Sequence, residues 1–444
     1  MVEKRSRFRH FRWYGYNIEE IQKEVLYTMI SFETPPQIQN MQNMLRLVAN
    51  NMFRPAARHY DENEHEKPLN LAKLIMSGMG RTGTDERPSE ESARPSRPEG
   101  EQERPSLANV SMVFQAEAMA WGDVGLTIFC QPGGGLGGAA IRAAGTPEQR
   151  ERFLQRFSEG EPKWGAMAMT EPGAGSDTAA ISTTAVRDGE EWVLNGEKIF
   201  VTSGLMAAQE SEGLVVVWAT VDKSAGRAGM KAFVVEKGTP GMRVEKVEKK
   251  LGIRASDTAT IILDNCHVPL DHCLGSHEVE RGDTEGFRGA MATFDATRPA
   301  VAAMALGVGR AALEYVKEAL EKEGLQIRYG APRHKLTAIE RDIMDMEANL
   351  KAAWLLVIRS AWMMDQRQRN NLEASMGKAK AGLTVTRITQ KAVELMGPLG
   401  YSRKHLLEKW MRDSKITDIF EGTGQINMLI VARRILGYSS AELK

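Results

Sequence analysis

The hydrophobic period of this chain changes twice, and that change constrains its fold more than any other feature. Residues 107–121 repeat their apolar side chains at helical spacing. Near Trp164 the texture turns to short β-branched runs bounded by Gly, Asp, Asn or Pro: residues 183–186, 192–194, 214–220, 231–235 and 259–263. These read as strands of a mostly β domain over about residues 164–269. After Gly286 the helical period returns in four long amphipathic stretches, 301–321, 336–364, 372–396 and 423–436. Their short connections predict an antiparallel bundle. The expected order is helical, then β, then helical.

Apolar residues also recur at helical spacing over residues 18–57, where Pro35 and Pro36 put a helix start near Gln37. Thr146, Pro147 and Gln149 carry a helix-start signal, with Thr146 as the cap. Residues 81–106 hold four prolines, twelve charges and no aromatic or large aliphatic side chain. Such a stretch buries too little apolar surface to offset its ordering entropy, so a flexible insertion is expected. The first residues are basic (Lys4, Arg5, Arg7, Arg9, Arg12) without a secretory signal pattern, and are expected to be a solvated arm.

Charge and cysteine usage exclude several function classes. The 58 basic and 58 acidic side chains cancel, which removes the bulk-charge argument for nucleic acid or an anionic membrane. No apolar run approaches the roughly 18 residues of a membrane span. Cys130, Cys266 and Cys273 are too few for a disulfide framework and imply a reducing compartment. His267, His272 and His277 follow no familiar zinc spacing, so no metal is expected. His267 reads as a capping or core histidine and Cys266 as a small buried hydrophobe.

Five motifs remain. Residues 170–177 (Thr-Glu-Pro-Gly-Ala-Gly-Ser-Asp) match no dinucleotide or P-loop fingerprint and would form a tight loop. Asn195-Gly196 predicts a two-residue hairpin turn. The following strand puts Phe200 and Thr202 on one face, able to support a flat ring and hydrogen-bond to it, or simply a core Phe beside a surface Thr. Residues 251–258 lead into another strand. Residues 294–299 (Phe-Asp-Ala-Thr-Arg-Pro) precede a helix, with Thr297 as N-cap and Pro299 early in it, and present an Asp and an Arg. Residues 420–426 (Phe-Glu-Gly-Thr-Gly-Gln-Ile) join two helices. Poor solvation of Glu421 there would raise its pKa and make it a base, whereas a plain helix-start acid is the alternative.

In this order, over residues 107–436, these motifs resemble the acyl-CoA dehydrogenase family, with the medium- and short-chain type nearest. The run 408–426 is the most specific part. The resemblance implies an α+β multidomain fold: an N-terminal helical domain (1–163, with the 81–106 insertion), a middle β-barrel domain (164–285) and a C-terminal four-helix bundle (286–444). It implies FAD, and an acyl-CoA thioester dehydrogenated to its trans-2-enoyl form. Glu421 would take the α-proton while the β-hydride goes to N5 of FAD. The backbone N–H of the base and a ribityl hydroxyl would hold the developing enolate. By the same resemblance Met167, Thr170, Ser176, Phe200, Thr202, Thr423 and Gln425 contact the cofactor, and Ser176, Asp295, Arg298 and Arg254 contact substrate. It further implies an electron-transferring flavoprotein as partner, a homotetramer, and a cytoplasmic location (the mitochondrial matrix in a eukaryote).

The sequence also departs from the family. Phe200 stands where Trp is usual. Gln326 replaces an arginine that reaches the FAD pyrophosphate of a neighbouring subunit, which leaves Arg328 to substitute. Glu394 replaces a glutamine near the same phosphates, and Pro398 a nearby glycine. An acid added and a base lost near a pyrophosphate are unfavourable. The alternatives are an oxidase of the same fold and a cofactor-poor partner subunit of a mixed oligomer.

Overall fold

The computed structural model describes residues 34–78, 106–130, 134–158, 160–279, 284–438 and 442. The basic arm and residues 81–105 of the expected insertion lie outside them. The chain divides between Met41 and Gln42 into two compact units, and the candidate site lies entirely in the second.

The described chain opens with helices: α1 (Pro36–Val48), α2 (Arg54–Glu62), α3 (Leu69–Gly78), α4 (Ala108–Gly122), α5 (Val124–Phe129), α6 (Gly135–Ala144) and α7 (Pro147–Gln155). α7 starts as its sequence implies. Thr146 Oγ accepts from the Gln149 N–H at 3.3 Å, and the Gln149 side chain accepts from the Thr146 N–H at 3.0 Å.

Seven strands follow: β1 (Gly165–Ala168), β2 (Thr184–Asp188), β3 (Glu191–Thr202), β4 (Leu214–Thr220), β5 (Met230–Glu236), β6 (Met242–Val247) and β7 (Thr258–Pro269). They form one curled sheet in the order β1-β4-β2-β3-β7-β6, with β5 also on β4. All seven β4 positions are buried. Strands enclosed on both faces read as continuous apolar runs, which is why Leu-Val-Val-Val-Trp-Ala shows no alternation. Its Val216 and Trp218 share a core cluster with Met167, Met169, Ile141 of α6 and Phe153 of α7.

Asn195-Gly196 is not a hairpin turn. Both residues lie inside β3, where its register against β7 shifts between Leu194 and Gly196. A Cβ on Gly196 would stand 2.4 Å from Thr183 Oγ1, so the glycine serves close approach rather than chain reversal. The turn lies earlier, at Gly189-Glu190, since Asp188 pairs with Glu191.

The C-terminal helices are α8 (Glu285–Lys322), α9 (Ala338–Asp365), α10 (Asn371–Met396), α11 (Pro398–Tyr401), α12 (Leu407–Ile416) and α13 (Gly424–Leu436). α10 is central and packs against α8, α9 and α13. Thr297 and Pro299 do not begin a helix, because α8 starts at Glu285 and Pro299 lies within it. His267 is not a core histidine either. It is exposed, with Nδ1 2.9 Å from Glu191 Oε2. All three cysteines are buried and unbridged, and burial pushes each thiol up to about 12. Among the described residues no cluster of His, Cys, Asp or Glu could hold a metal, and no helix is long and apolar enough to cross a membrane.

One buried ion network ties the three parts together. Lys409 on α12 pairs with Asp123 and, at 2.6 Å, with Asp413. Asp123 also caps α5 through the Leu126 N–H at 2.9 Å. Asp413 Oδ1 accepts the Ile253 N–H at 2.6 Å, which fixes the loop before β7. Removing the ammonium would leave two carboxylates buried without compensation. Lys409→Met is therefore expected to cost about 3–5 kcal/mol in urea unfolding. Arg333→Ala breaks only the exposed pair with Asp345, and should leave the urea unfolding midpoint nearly unchanged.

Candidate functional site

One turn of α8 carries the centre of the site. Phe294 packs against the sheet core cluster that contains Met167 and Met169. Asp295, Thr297 and Arg298 follow on the same turn, and Arg298 Nη1 donates to Asp295 Oδ1 at 2.6 Å. Because Pro299 has no N–H, the Asp295 carbonyl loses its helical donor.

Glu421 meets this turn. Its Oε2 lies 2.7 Å from Thr297 Oγ1, and its carbonyl accepts from Arg298 Nε at 3.3 Å. The backbone there is left-handed, with φ of 53° at Glu421 and 91° at Gly422. Such a φ is costly for a residue other than glycine unless its surroundings hold it. Two side chains secure the next carbonyl: Gly422 O accepts from Lys378 Nζ at 2.6 Å and from Asn427 Nδ2 at 2.8 Å. Thr423 Oγ1 then caps α13 by accepting the Ile426 N–H at 3.2 Å. Among the described residues the Glu421 N–H finds no acceptor.

Burial pushes the Glu421 carboxyl up to about 6, against the opposing pull of Thr297, Arg298 and Lys378. A carboxylate with that value is ionised at neutral pH and more basic than a solvated one. Burial likewise raises the Asp295 carboxyl and lowers the Arg298 guanidinium, while their mutual attraction opposes both shifts.

The sheet supplies a second group of residues. Residues 170–183 are stitched to β3: Ile199 N–H donates to Thr170 O at 2.9 Å. The Glu171 carboxylate accepts from Lys198 Nζ at 2.7 Å, from the Ser182 N–H and hydroxyl at 2.6 Å each, and from the Thr183 N–H at 3.0 Å. Lys198 Nζ also reaches Met169 O at 3.1 Å. Glu171 sits at about 2, held there against the burial penalty by Lys198 and these donors, and burial lowers Lys198 to about 8.

Immediately beyond this pair β3 bulges against β7, between Lys198 and Val201. Phe200 has φ 58° and is 61% exposed, whereas Val201 is buried. An aromatic ring left that open, beside the half-buried Thr202, is not a core residue. Neither the Thr170 nor the Thr202 hydroxyl bonds to another described residue. A flat heteroaromatic ring with its own hydrogen-bonding atoms fits this surface.

The other expected contacts are dispersed. Ser176 and Gln425 are exposed and Thr423 is half-buried. Arg254 does not join Glu421; Nε bonds Lys250 O at 2.9 Å and Nη1 bonds Asp61 O at 3.3 Å. Arg328 is engaged elsewhere, with Nε 2.7 Å from Glu340 Oε1 and Nη2 2.6 Å from Oε2. Glu394 is exposed and pairs with Lys391 at 2.9 Å.

Comparison with known proteins settles the family. Models of the N-terminal, middle and C-terminal domains of acyl-CoA dehydrogenase match residues 95–161, 166–266 and 284–436. The short-chain specific acyl-CoA dehydrogenase of Clostridium acetobutylicum is 32% identical over 404 residues, which is 89% of this chain and 97% of that protein. The chain belongs to the acyl-CoA dehydrogenase family. It is thus an oxidoreductase acting on acyl-CoA. The bovine mitochondrial short-chain enzyme is 39% identical over 292 residues, covering 66% of this chain and 67% of that one. The structure of butyryl-CoA dehydrogenase from Megasphaera elsdenii superposes with a TM-score of 0.77 at 29% identity, covering 92% of this chain and all of that one.

Three features of this family member escaped the sequence reading. Glu171 lies in the 170–177 motif and Lys198 in the strand after Asn195-Gly196, yet only the fold pairs them. Lys378 had a signal: it occupies the core face of α10, in step with Ala374, Ala381 and Val385. The contact of Thr297 with Glu421 spans 124 residues and left no local trace. If the Glu171–Lys198 pair holds residues 170–183 on the sheet, Lys198→Met should speed amide exchange at Ser182 and Thr183 by roughly tenfold or more. Amides of β7 residues 266–268 should be unchanged.

Proposed function

We propose that this chain dehydrogenates a short-chain acyl-CoA to its trans-2-enoyl-CoA, with Glu421 as the base that takes the α-proton. One observation carries the reading: a half-buried carboxylate poised near pH 6, on a turn whose own N–H finds no acceptor among the described residues. An α-proton of a thioester is a weak acid, so the base must be basic and the enolate oxygen must meet a donor. The Glu421 N–H is such a donor. Thr297 and Arg298 fix the carboxylate and its carbonyl, which limits the rotation open to the base.

FAD, when bound, supplies a two-electron acceptor for the β-hydride. Met167, Thr170, Phe200 and Thr202 would hold its ring, and Ser176, Thr423 and Gln425 would contact the rest. Substrate would meet Asp295, Arg298 and Ser176, and Arg254 where the CoA arm runs. The α-proton goes to Glu421, the β-hydrogen leaves with its electron pair, and the C–C double bond forms between them. Electrons then pass to an electron-transferring flavoprotein, and the chain works as a homotetramer. The family and the short-chain relatives support these parts of the reading.

A second reading, a cofactor-poor subunit of a mixed oligomer, has one observation in its favour. Arg328, the group left to answer a pyrophosphate, is spent on Glu340. Flavin content separates the two: about one FAD per purified chain supports the dehydrogenase, and a content below about a tenth supports the partner subunit.

Glu421→Gln keeps the shape of the side chain and removes the base. It should abolish anaerobic bleaching of bound flavin by butyryl-CoA, at least about a thousandfold, while flavin stays bound. Full bleaching by the variant would overturn the assignment. In the unaltered enzyme kcat/KM should fall about tenfold per pH unit below about 6, because the carboxylate is lost there.

A further inference from the structure

Lys378 is 1% exposed, in the middle of the bundle, and has no part in the chemistry above. Its hydrogen bond goes to a neutral acceptor, the Gly422 carbonyl. Burying an ammonium without a negative charge nearby is costly. The carboxylates that act on it are Asp418 and Glu421, while Arg298 opposes them. A buried cation has thus been placed behind a turn whose exposed purpose is to present a carboxylate.

The charged groups around Glu421 come from each packed element. α8 brings Arg298 with its partner Asp295, and α10 brings Lys378. The loop before Glu421 brings Asp418, which acts on Lys378. Arg369 and, from α13, Arg434 act on Asp295. Thr297 and Asn427 are neutral donors. Only Lys378 combines a charge with a hold on the Gly422 carbonyl.

We infer that Lys378 is a positioning residue for the base: it fixes the left-handed Glu421–Gly422 turn by its backbone carbonyl and stands as the positive charge behind the Glu421 carboxylate. The inference rests on the reading of Glu421 as the base. Three substitutions test it. Lys378→Gln keeps a donor for Gly422 O and removes the charge. Lys378→Met removes both. Lys378→Arg keeps the charge.

The test is made on the full-length flavoprotein, with far-ultraviolet circular dichroism and flavin content as controls for folding. The readout is the infrared carboxyl band that Glu421→Gln removes, titrated against pH. Its midpoint in the unaltered protein is expected near 6. Gln and Met should raise that midpoint by about one unit, and so lower kcat/KM about tenfold a unit below the original limb, with KM little changed. Arg should leave the midpoint within about 0.3 unit of the original. A midpoint unmoved in the Gln and Met variants overturns the inference. If neither neutral variant folds, a displaced midpoint in the Arg variant overturns it, and an unmoved one supports it. The two readings fail differently: an active Glu421→Gln enzyme refutes the base, whereas an inactive one with an unmoved midpoint refutes only the role of Lys378.

Discussion

The site depends on one left-handed turn. Glu421 and Gly422 both have positive φ, and that conformation survives because the carbonyl of each is held by a buried cation. Arg298 reaches it from α8 and Lys378 from α10. Two helices of the bundle therefore determine where a short loop points its carboxylate. The same enclosure that strains the backbone also strips water from the carboxyl, which raises its basicity. Conformation and acidity at this point have a common cause.

The second half of the site depends on a different buried pair. Glu171 and Lys198 fasten residues 170–183 to β3 immediately before the strand bulges and turns Phe200 outward. A bulge re-aims a side chain at the price of a ladder hydrogen bond, and it persists only where neighbouring contacts are firm. Phe294 links the halves, because it packs against the sheet cluster one turn ahead of Arg298. A shift of α8 would thus be felt both at the base and in the sheet core around Met167 and Met169.

Much of the architecture was legible in the sequence because burial sets its period. β4 reads as continuous apolar residues since both faces are covered, and α10 reads as amphipathic since it lies between three helices. The Thr146 cap was legible because all its partners fall within three residues. What failed was local grammar overruled by distant contacts. Asn195-Gly196 has hairpin chemistry, but Thr183 occupies the space that defines that glycine. Thr297 and Pro299 look like a helix start, but α8 had begun at Glu285. The candidate base was legible from its motif. The groups that set its behaviour, Thr297 and Lys378, come from 124 and 43 residues away, and no local pattern encodes a pairing of that range.

The central claim is that Glu421 takes a proton from the carbon next to a thioester carbonyl. It can be isolated from hydride transfer with an acyl-CoA whose β-carbon is replaced by sulfur, so that no hydride can leave. Bound to the flavoprotein in D2O, this compound should exchange its α-protons for deuterium, followed by NMR, with a rate that rises through about pH 6 as the carboxylate forms. Exchange no faster than for the free compound, with binding demonstrated, would contradict the account.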